Sequence, residues 1–312
     1  MLEPYFVVLA PKEDIHAQAV VREAHLLGSN SSCIIDFSDH ENLEFLWSSR
    51  EKLILETPNG DQDLLRAQSI WWRRFATPNI SKFDLQTNEY CSSEYRSALQ
   101  SIFRALETDG RIKNCLTARQ LGNSKVSQLE TAQKHGLNIP ETIITNSPEK
   151  ALDFAESNDW NIVAKGFGGT KERYSPTQQI TLEDELRLQS LVSSPIILQK
   201  RVRRGRDYRV TVVNNQIFSA AIETDFPGAK IDWRLDAAAT CVDIDLGERV
   251  NSTILKITKE LGLFFCTIDL IEDPEGSLFF LEVNESGQFL FVEIDTGMKI
   301  SEAVARGLLG LG

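Results

Sequence analysis

Cys266-Thr-Ile-Asp-Leu-Ile-Glu-Asp-Pro-Glu-Gly-Ser-Leu-Phe-Phe-Leu-Glu-Val-Asn284 reads as a β-hairpin. A first strand, Phe264 to Ile271, ends in the turn formers Asp273, Pro274 and Gly276. A second strand, Leu278 to Val283, returns. Glu282 and Asn284 stand two positions apart, so their side chains share one face of the strand. Asp269 reaches that face if the register pairs the two strands there. The product is a set of oxygen donors, two carboxylates and an amide, among Phe, Leu, Ile and Val. Hard cations such as Mg²⁺ take oxygen ligands of this kind and leave positions for water and phosphate oxygens. Carboxylates in an apolar hairpin are costly unless something positive pairs with them. A lone Glu282 would read as a solvent-facing residue of an edge strand. The trio Asp269, Glu282 and Asn284 reads as a metal site.

Working outward, 312 residues are enough for two or three lobes with real cores. Hydrophobic content of 42% and charged content of 25% are those of an ordinary globular protein. A net charge of -12 argues against a nucleic-acid surface. No apolar run reaches membrane length, and no basic region precedes the first apolar run. Cys33, Cys91, Cys115, Cys241 and Cys266 are scattered and odd in number, which speaks against a disulfide scaffold or a zinc site. A reducing cytoplasm is the expected compartment. His16, His25, His40 and His135 pair with no recognisable nucleophile and read as surface or helix residues.

The first part of the chain alternates strand and helix. Tyr5 to Leu9, Ser32 to Phe37 and Ala67 to Trp72 have strand character. Phe45-Leu46 and Leu53 to Leu55 suggest two more strands, and Asn59-Gly60 a turn. Asp14 to Leu27 has helical spacing and stops at Gly28, and Glu89 to Glu107 is a long amphipathic helix. This predicts a small α/β lobe with a parallel sheet. Without Gly-x-Gly-x-x-Gly there is no dinucleotide signal. Trp71-Trp72-Arg73-Arg74 closes the last strand. The arginines can serve phosphate or carboxylate recognition through their forked donors. Equally, Trp71 packs in the core and Arg73 and Arg74 are solvated.

A second lobe begins near Asn114. Lys125 to His135 is helical and ends at Gly136; Ile139 to Asn146 is a strand; Ser147-Pro148 opens a helix as cap and first-turn residue. Asn161 to Ala164 is an apolar strand ending in Lys165, followed by Gly166-Phe-Gly168-Gly169-Thr170. Glycines let amides approach phosphate oxygens and the lysine supplies a compact charge. The spacing is not that of a P-loop, and a plain hairpin is as consistent with it. Pro195 to Val202 is a strand entering the basic segment Lys200 to Arg209. Asp207 and Arg209 share a strand face, suited to a sugar and to phosphates, although a solvated basic patch fits as well.

The order Lys125, Lys165 with its glycine-rich loop, Gln199-Lys200-Arg-Val202, Asp207, Arg209, then Asp269, Glu282 and Asn284 resembles the ATP-grasp superfamily of carboxylate–amine ligases. Trp71-Trp-Arg-Arg, Lys125-x-x-Gln128-Leu, Gly136-Leu-Asn-Ile-Pro, Thr142 to Pro148, Lys230-Ile-Asp232-Trp-Arg234 and Asn284-Glu-Ser-Gly-Gln288 resemble its microviridin-type branch, the graspetide synthetases. The likeness runs from Trp71 onward and is weak before it. Trp72 stands where that branch has Tyr, and Phe289-Leu-Phe291 replaces a Trp.

The resemblance implies an ATP-grasp fold with an N-terminal α/β domain (residues 1–113), a central subdomain (114–198) and a C-terminal subdomain with the metal site (199–312). It implies ATP between the last two. Lys125, Lys165, Gly168 and Gly169 would meet phosphates; Gln199, Lys200 and Val202 would flank the adenine and Asp207 the ribose. Asp269, Glu282 and Asn284 would hold Mg²⁺. Arg209 and Arg234 would offset charge on the transferring phosphoryl group. The partner implied is a precursor peptide, leader plus core. Glu223, Asp225 and Phe226, on a hairpin around Pro227-Gly228, and Arg73 and Arg74 would contact it; an ordinary exposed hairpin is the other reading. The expected assembly is a homodimer, with neither nucleic acid nor membrane as partner. A RimK-like ligase adding an amino acid to a carboxylate shares every ATP residue. A nucleotide-binding module without ligase activity is a further alternative, and the full Lys, Arg and metal set argues against it.

Overall fold

The structure is a computed structural model that describes residues 3–38, 44–48, 52–56, 62–75, 80–108, 110–167, 177–224, 236 and 238–311. The expected Asn59-Gly60 turn lies outside them. The chain begins with β1 (Phe6–Leu9), α1 (Ile15–Leu26) and β2 (Cys33–Ile35). Strands β3 (Glu44–Ser48), β4 (Lys52–Glu56) and β5 (Gln62–Asp63) form a small antiparallel sheet of their own. Then come β6 (Ser69–Trp72), α2 (Leu85–Glu107) and β7 (Ile112–Lys113). The order β2-β1-β6-β7 is parallel at each pairing, as the strand–helix alternation predicts. The two-residue period of β1 splits it between two cores. Val7 and Leu9 pack with Phe37, Trp72, Leu99 and Phe103, while Phe6 and Val8 face the other side with Trp71.

Helices α3 (Leu116–Asn123) and α4 (Lys125–Lys134) precede β8 (Thr142–Thr145), α5 (Pro148–Ser157), β9 (Ile162–Lys165), β10 (Gln178–Ile180), α6 (Glu185–Leu188) and β11 (Ile196–Lys200). The strands form an antiparallel sheet, β10-β9-β11-β8. Helix α5 is capped as its sequence predicts, with Ser147 Oγ accepting the Lys150 amide.

The last sheet has the order β14-β13-β12-β15-β16, built from β12 (Arg206–Val213), β13 (Gln216–Glu223), β14 (Thr240–Asp243), β15 (Phe265–Glu272) and β16 (Leu278–Asn284). Helix α7 (Glu248–Glu260) covers one face with α3 and α4, over Tyr208, Val210, Val212, Cys266 and Ile268. By packing, therefore, α3 and α4 go with this sheet and not with β8–β11. The other face meets α8 (Leu290–Thr296), α9 (Ile300–Leu309) and the first lobe in one continuous core. Trp71, Phe265 and Phe289 stack edge-on there, with ring centres 5.2 and 5.5 Å apart. Each large ring buried in this way contributes about 1.5–3 kcal/mol.

Candidate active site

The β15–β16 register places Asp269 directly opposite Glu282 and Thr267 opposite Asn284, so all three oxygen-donor residues stand at one end of the hairpin. The turn that sets this register is built by Asp273, whose Oδ1 accepts the amides of Glu275 and Ser277, and by Gly276 at φ +84°. A register irregularity between Asp269 and Leu270 absorbs one extra residue of β16.

Both carboxylates have cationic partners. Arg209, opposite Asp269 on β12, donates from Nη1 to Oδ1 at 2.6 Å. Lys125, the first residue of α4, donates from Nζ to Glu282 Oε2 at 2.8 Å. Asp269 and Arg209 are buried, Glu282 is half-buried and Asn284 exposed. The row Lys125, Glu282, Asp269, Arg209 thus balances two positive against two negative charges at the edge of an apolar sheet, which offsets much of their desolvation. Among the described residues no cluster of three or more His, Cys, Asp and Glu is found. Two carboxylates and an amide oxygen are nevertheless a donor set that fits Mg²⁺, which commonly completes its shell with water and substrate phosphates.

Lys165 ends β9 and lies opposite Ile197 of β11. Gly168, Gly169 and Thr170 lie outside the described residues. Gln199 is buried and its Nε2 donates to Thr142 Oγ1 at 3.0 Å, while the Lys200 amide is taken by the Glu141 carbonyl at 2.8 Å. Val202 is half-buried just beyond. Asp207, also buried, is ion-paired with Arg204. Arg234, Asp225 and Phe226 lie outside the described residues. Glu223, at the exposed end of β13, is paired with Arg206.

Two expectations are corrected. Arg73 is neither solvated nor in a peptide cleft: it is 0% exposed. Its Nε reaches both oxygens of Asp14 at 3.1 Å, and its guanidinium lies 5.3–5.9 Å from the rings of Trp71, Phe265 and Phe289. A buried arginine survives only beside a carboxylate, and Asp14 is that carboxylate. Burial lowers the Arg73 pKa to about 10, against the pull of Asp14. Burial would raise the Asp14 carboxyl, but Arg73 and the Ala17 amide hold it below its ordinary value. Arg74 does reach solvent, and also donates to the Ser286 carbonyl at 3.3 Å.

His16 is the second: of the two readings, surface or helix, it is a helix residue of α1 and not a surface one. It is buried against Phe289, with ring centres 4.8 Å apart, and its Nδ1 accepts the amides of Phe289 and Leu290. Burial, and then the charge of Arg73, push its pKa down to about 4.

Sequence reasoning also missed Asn114, Arg119 and Glu285. Asn114, at φ +53°, bridges the chain between β7 and α3 to the amides of Phe264 and Phe265 and to the carbonyls of Phe265 and Glu285. Glu285 is buried between Arg119 at 2.8 Å and Asn123 at 3.0 Å. Asp14 caps α1, its side chain accepting the His16 and Ala17 amides.

The sheets, and the antiparallel β15–β16 hairpin at which Lys125 meets Glu282 and Arg209 meets Asp269, are those of an ATP-grasp fold. Residues 122–308 match the RimK-like ATP-grasp domain, more than half of the chain, which belongs to that family of ligases. ATP-grasp ligases use ATP and Mg²⁺. The chain is 27% identical over 190 residues to the alpha-aminoadipate–LysW ligase LysX of Sulfurisphaera tokodaii, covering 59% of this chain and 66% of that protein. It spans only 47% of a probable alpha-L-glutamate ligase of Shewanella pealeana, at 24% identity over 220 residues and 69% of this chain. Thus the chain spans about half to two thirds of these curated relatives. Its fold is similar to that of macrocyclase MdnC bound with precursor peptide MdnA from Microcystis aeruginosa MRC, with a TM-score of 0.87, 26% identity, and 98% of this chain and 99% of that one covered.

Proposed function

We propose that this chain is a peptide maturase: an ATP-dependent ligase that activates Asp or Glu side chains of a ribosomal precursor peptide and closes ω-ester or ω-amide crosslinks. The observation that carries the reading is the row Lys125–Glu282–Asp269–Arg209, in a chain whose fold matches the peptide macrocyclase end to end. In this reading residues 1–113, 114–198 and 199–312 are the three functional units, with ATP between the last two. Lys125, Lys165, Gly168 and Gly169 take phosphates, Gln199, Lys200 and Val202 the adenine, and Asp207 the ribose. Asp269, Glu282 and Asn284 hold Mg²⁺, which supplies charge neutralisation at the phosphates. A substrate carboxylate oxygen attacks the γ-phosphorus, ADP leaves, and an acyl phosphate forms. A Ser or Thr hydroxyl or a Lys amine of the same peptide then attacks the acyl carbon, loses its proton and expels phosphate. Arg209 and Arg234 offset charge on the transferring group. Glu223, Asp225, Phe226 and Arg74 meet the peptide. The assembly is a cytoplasmic homodimer.

The likeness to LysX and to glutamate ligases favours a second reading, addition of an amino acid to a carboxylate. Mass separates the two. Incubation with ATP, Mg²⁺ and a candidate precursor peptide is expected to remove about 18 Da per crosslink, one water per condensation. A gain of one amino-acid residue in the presence of free amino acids would establish the second reading instead.

A further inference from the structure

The loop after Asn284 is held from outside at four consecutive carbonyls. That of Glu285 accepts from Asn114 Nδ2 at 2.7 Å, that of Ser286 from Arg74 at 3.3 Å, that of Gly287 from Arg73 Nη1 at 3.3 Å, and that of Gln288 from Arg209 Nη2 at 2.8 Å. The next two amides, of Phe289 and Leu290, converge on Nδ1 of His16 at 3.4 and 3.3 Å. Gly287 is pressed so closely on Thr267 that a Cβ there would stand 1.8 Å from its Oγ1.

Three of these holders, His16, Arg73 and Arg74, come from the first lobe and are organised by one residue. Asp14 receives Arg73, lies 3.8 Å from Arg74, and accepts the His16 and Ala17 amides at 3.0 Å as the cap of α1. Burying an arginine is expensive, and closing a four-residue turn does not require it. Within the turn, Asn284 already accepts the Ser286 amide on Oδ1 at 3.1 Å and the Gly287 amide on its own carbonyl at 3.3 Å. What the outside donors add is a fixed position for this closed turn relative to β15 and β12.

We propose that Arg73 and His16 are positioning residues for the metal end of the site. Through the Gly287 carbonyl and the Phe289 and Leu290 amides they fix the turn that begins at Asn284. The proposal rests on the reading of Asn284 as a magnesium ligand. Asp269 and Glu282 lie inside the strand ladder; Asn284, opposite Thr267, is its last rung and exposed, so on its far side it rests on the turn that the clamp holds.

Mn²⁺, followed by its paramagnetic resonance in the presence of ADP, tests this, together with metal-free ADP affinity and hydrogen exchange at the amides of residues 286–290. Arg73→Lys keeps a charge beside Asp14 but loses the fork. His16→Phe keeps a ring but loses the acceptor, whereas His16→Asn restores an acceptor near the Nδ1 position. We expect Arg73→Lys and His16→Phe to weaken Mn²⁺ about 10- to 100-fold, as loss of supports behind metal ligands does. Exchange at 286–290 should quicken, metal-free ADP affinity should hold, and His16→Asn should recover most of the Mn²⁺ affinity. Faster exchange with wild-type Mn²⁺ affinity would overturn the proposal, as would equal loss of metal-free ADP affinity, which marks a purely structural role. If Arg73→Lys does not fold, the two His16 variants decide alone. Glu282→Gln separates the two levels: wild-type Mn²⁺ binding there would remove the metal reading itself, while its loss beside intact binding in the clamp variants would remove only the clamp.

Discussion

Lys125 and Glu282 lie 157 positions apart in the chain and meet at 2.8 Å. Each side chain is about a quarter exposed, at 25% and 27%, so their ion pair contributes little to stability, about 1 kcal/mol or less. The consequence is a clean test. Glu282→Gln keeps the shape and loses the charge. We expect its peptide-dependent ADP release to fall by about 100-fold, the loss typical of a damaged metal site. Its melting temperature should stay close to that of the unaltered protein. Undiminished ADP release would take Glu282 out of the site.

Among the elements, the β12–β13 hairpin joins the site to the surface. Arg209 lies in its buried middle, and its open, exposed end carries Glu223 paired with Arg206. Glu223, which in the proposed function would pair with an Arg or Lys of the leader, is therefore partly neutralised already by its strand neighbour Arg206. Glu223→Lys with Asp225→Lys leaves Arg206 facing a like charge and should repel a basic leader. We expect peptide affinity to drop by about tenfold at low salt, less at high salt, with ADP affinity unchanged. Calorimetric titration with a synthetic basic leader reads both. Equal peptide affinity would detach this hairpin from recognition, and joint loss of ADP binding would mark a folding defect.

Across the whole molecule, the first lobe and the last sheet share one core, and His16 sits in it as a neutral acceptor. Its pKa is about 4 in the folded chain against 6.5 unfolded. The unfolded chain therefore takes up the proton first as pH falls. The stability this residue brings is complete above pH 6.5 and declines as pH drops toward 4. Denaturant midpoints between pH 7 and pH 4 should fall more steeply for the unaltered protein than for His16→Asn. Asp14, whose pKa is lowered, adds its own loss at still lower pH, common to both proteins. Parallel pH slopes would show that His16 does not titrate in this window.

The sequence by itself determined the elements and their kind: the parallel first sheet, the Ser147 cap, and a hairpin bringing Asp269 and Glu282 face to face. These follow from short-range physics, since a two-residue period, a turn-forming Asp-Pro and a capping hydroxyl act within a few positions of themselves. The lysines and arginines were legible as candidates by type and order, but their partners were not. Arg73 looked like a surface arginine because nothing near it in the chain says that Asp14, 59 positions away, will bury beside it. His16 is the helix residue it looked like, but its burial was not legible because its acceptor role is decided by amides 273 and 274 positions on. Only the tertiary structure decided that the first lobe grips the loop behind Asn284. The burial of a charge and the satisfaction of a backbone carbonyl depend on which surfaces are brought together, and no local periodicity encodes that.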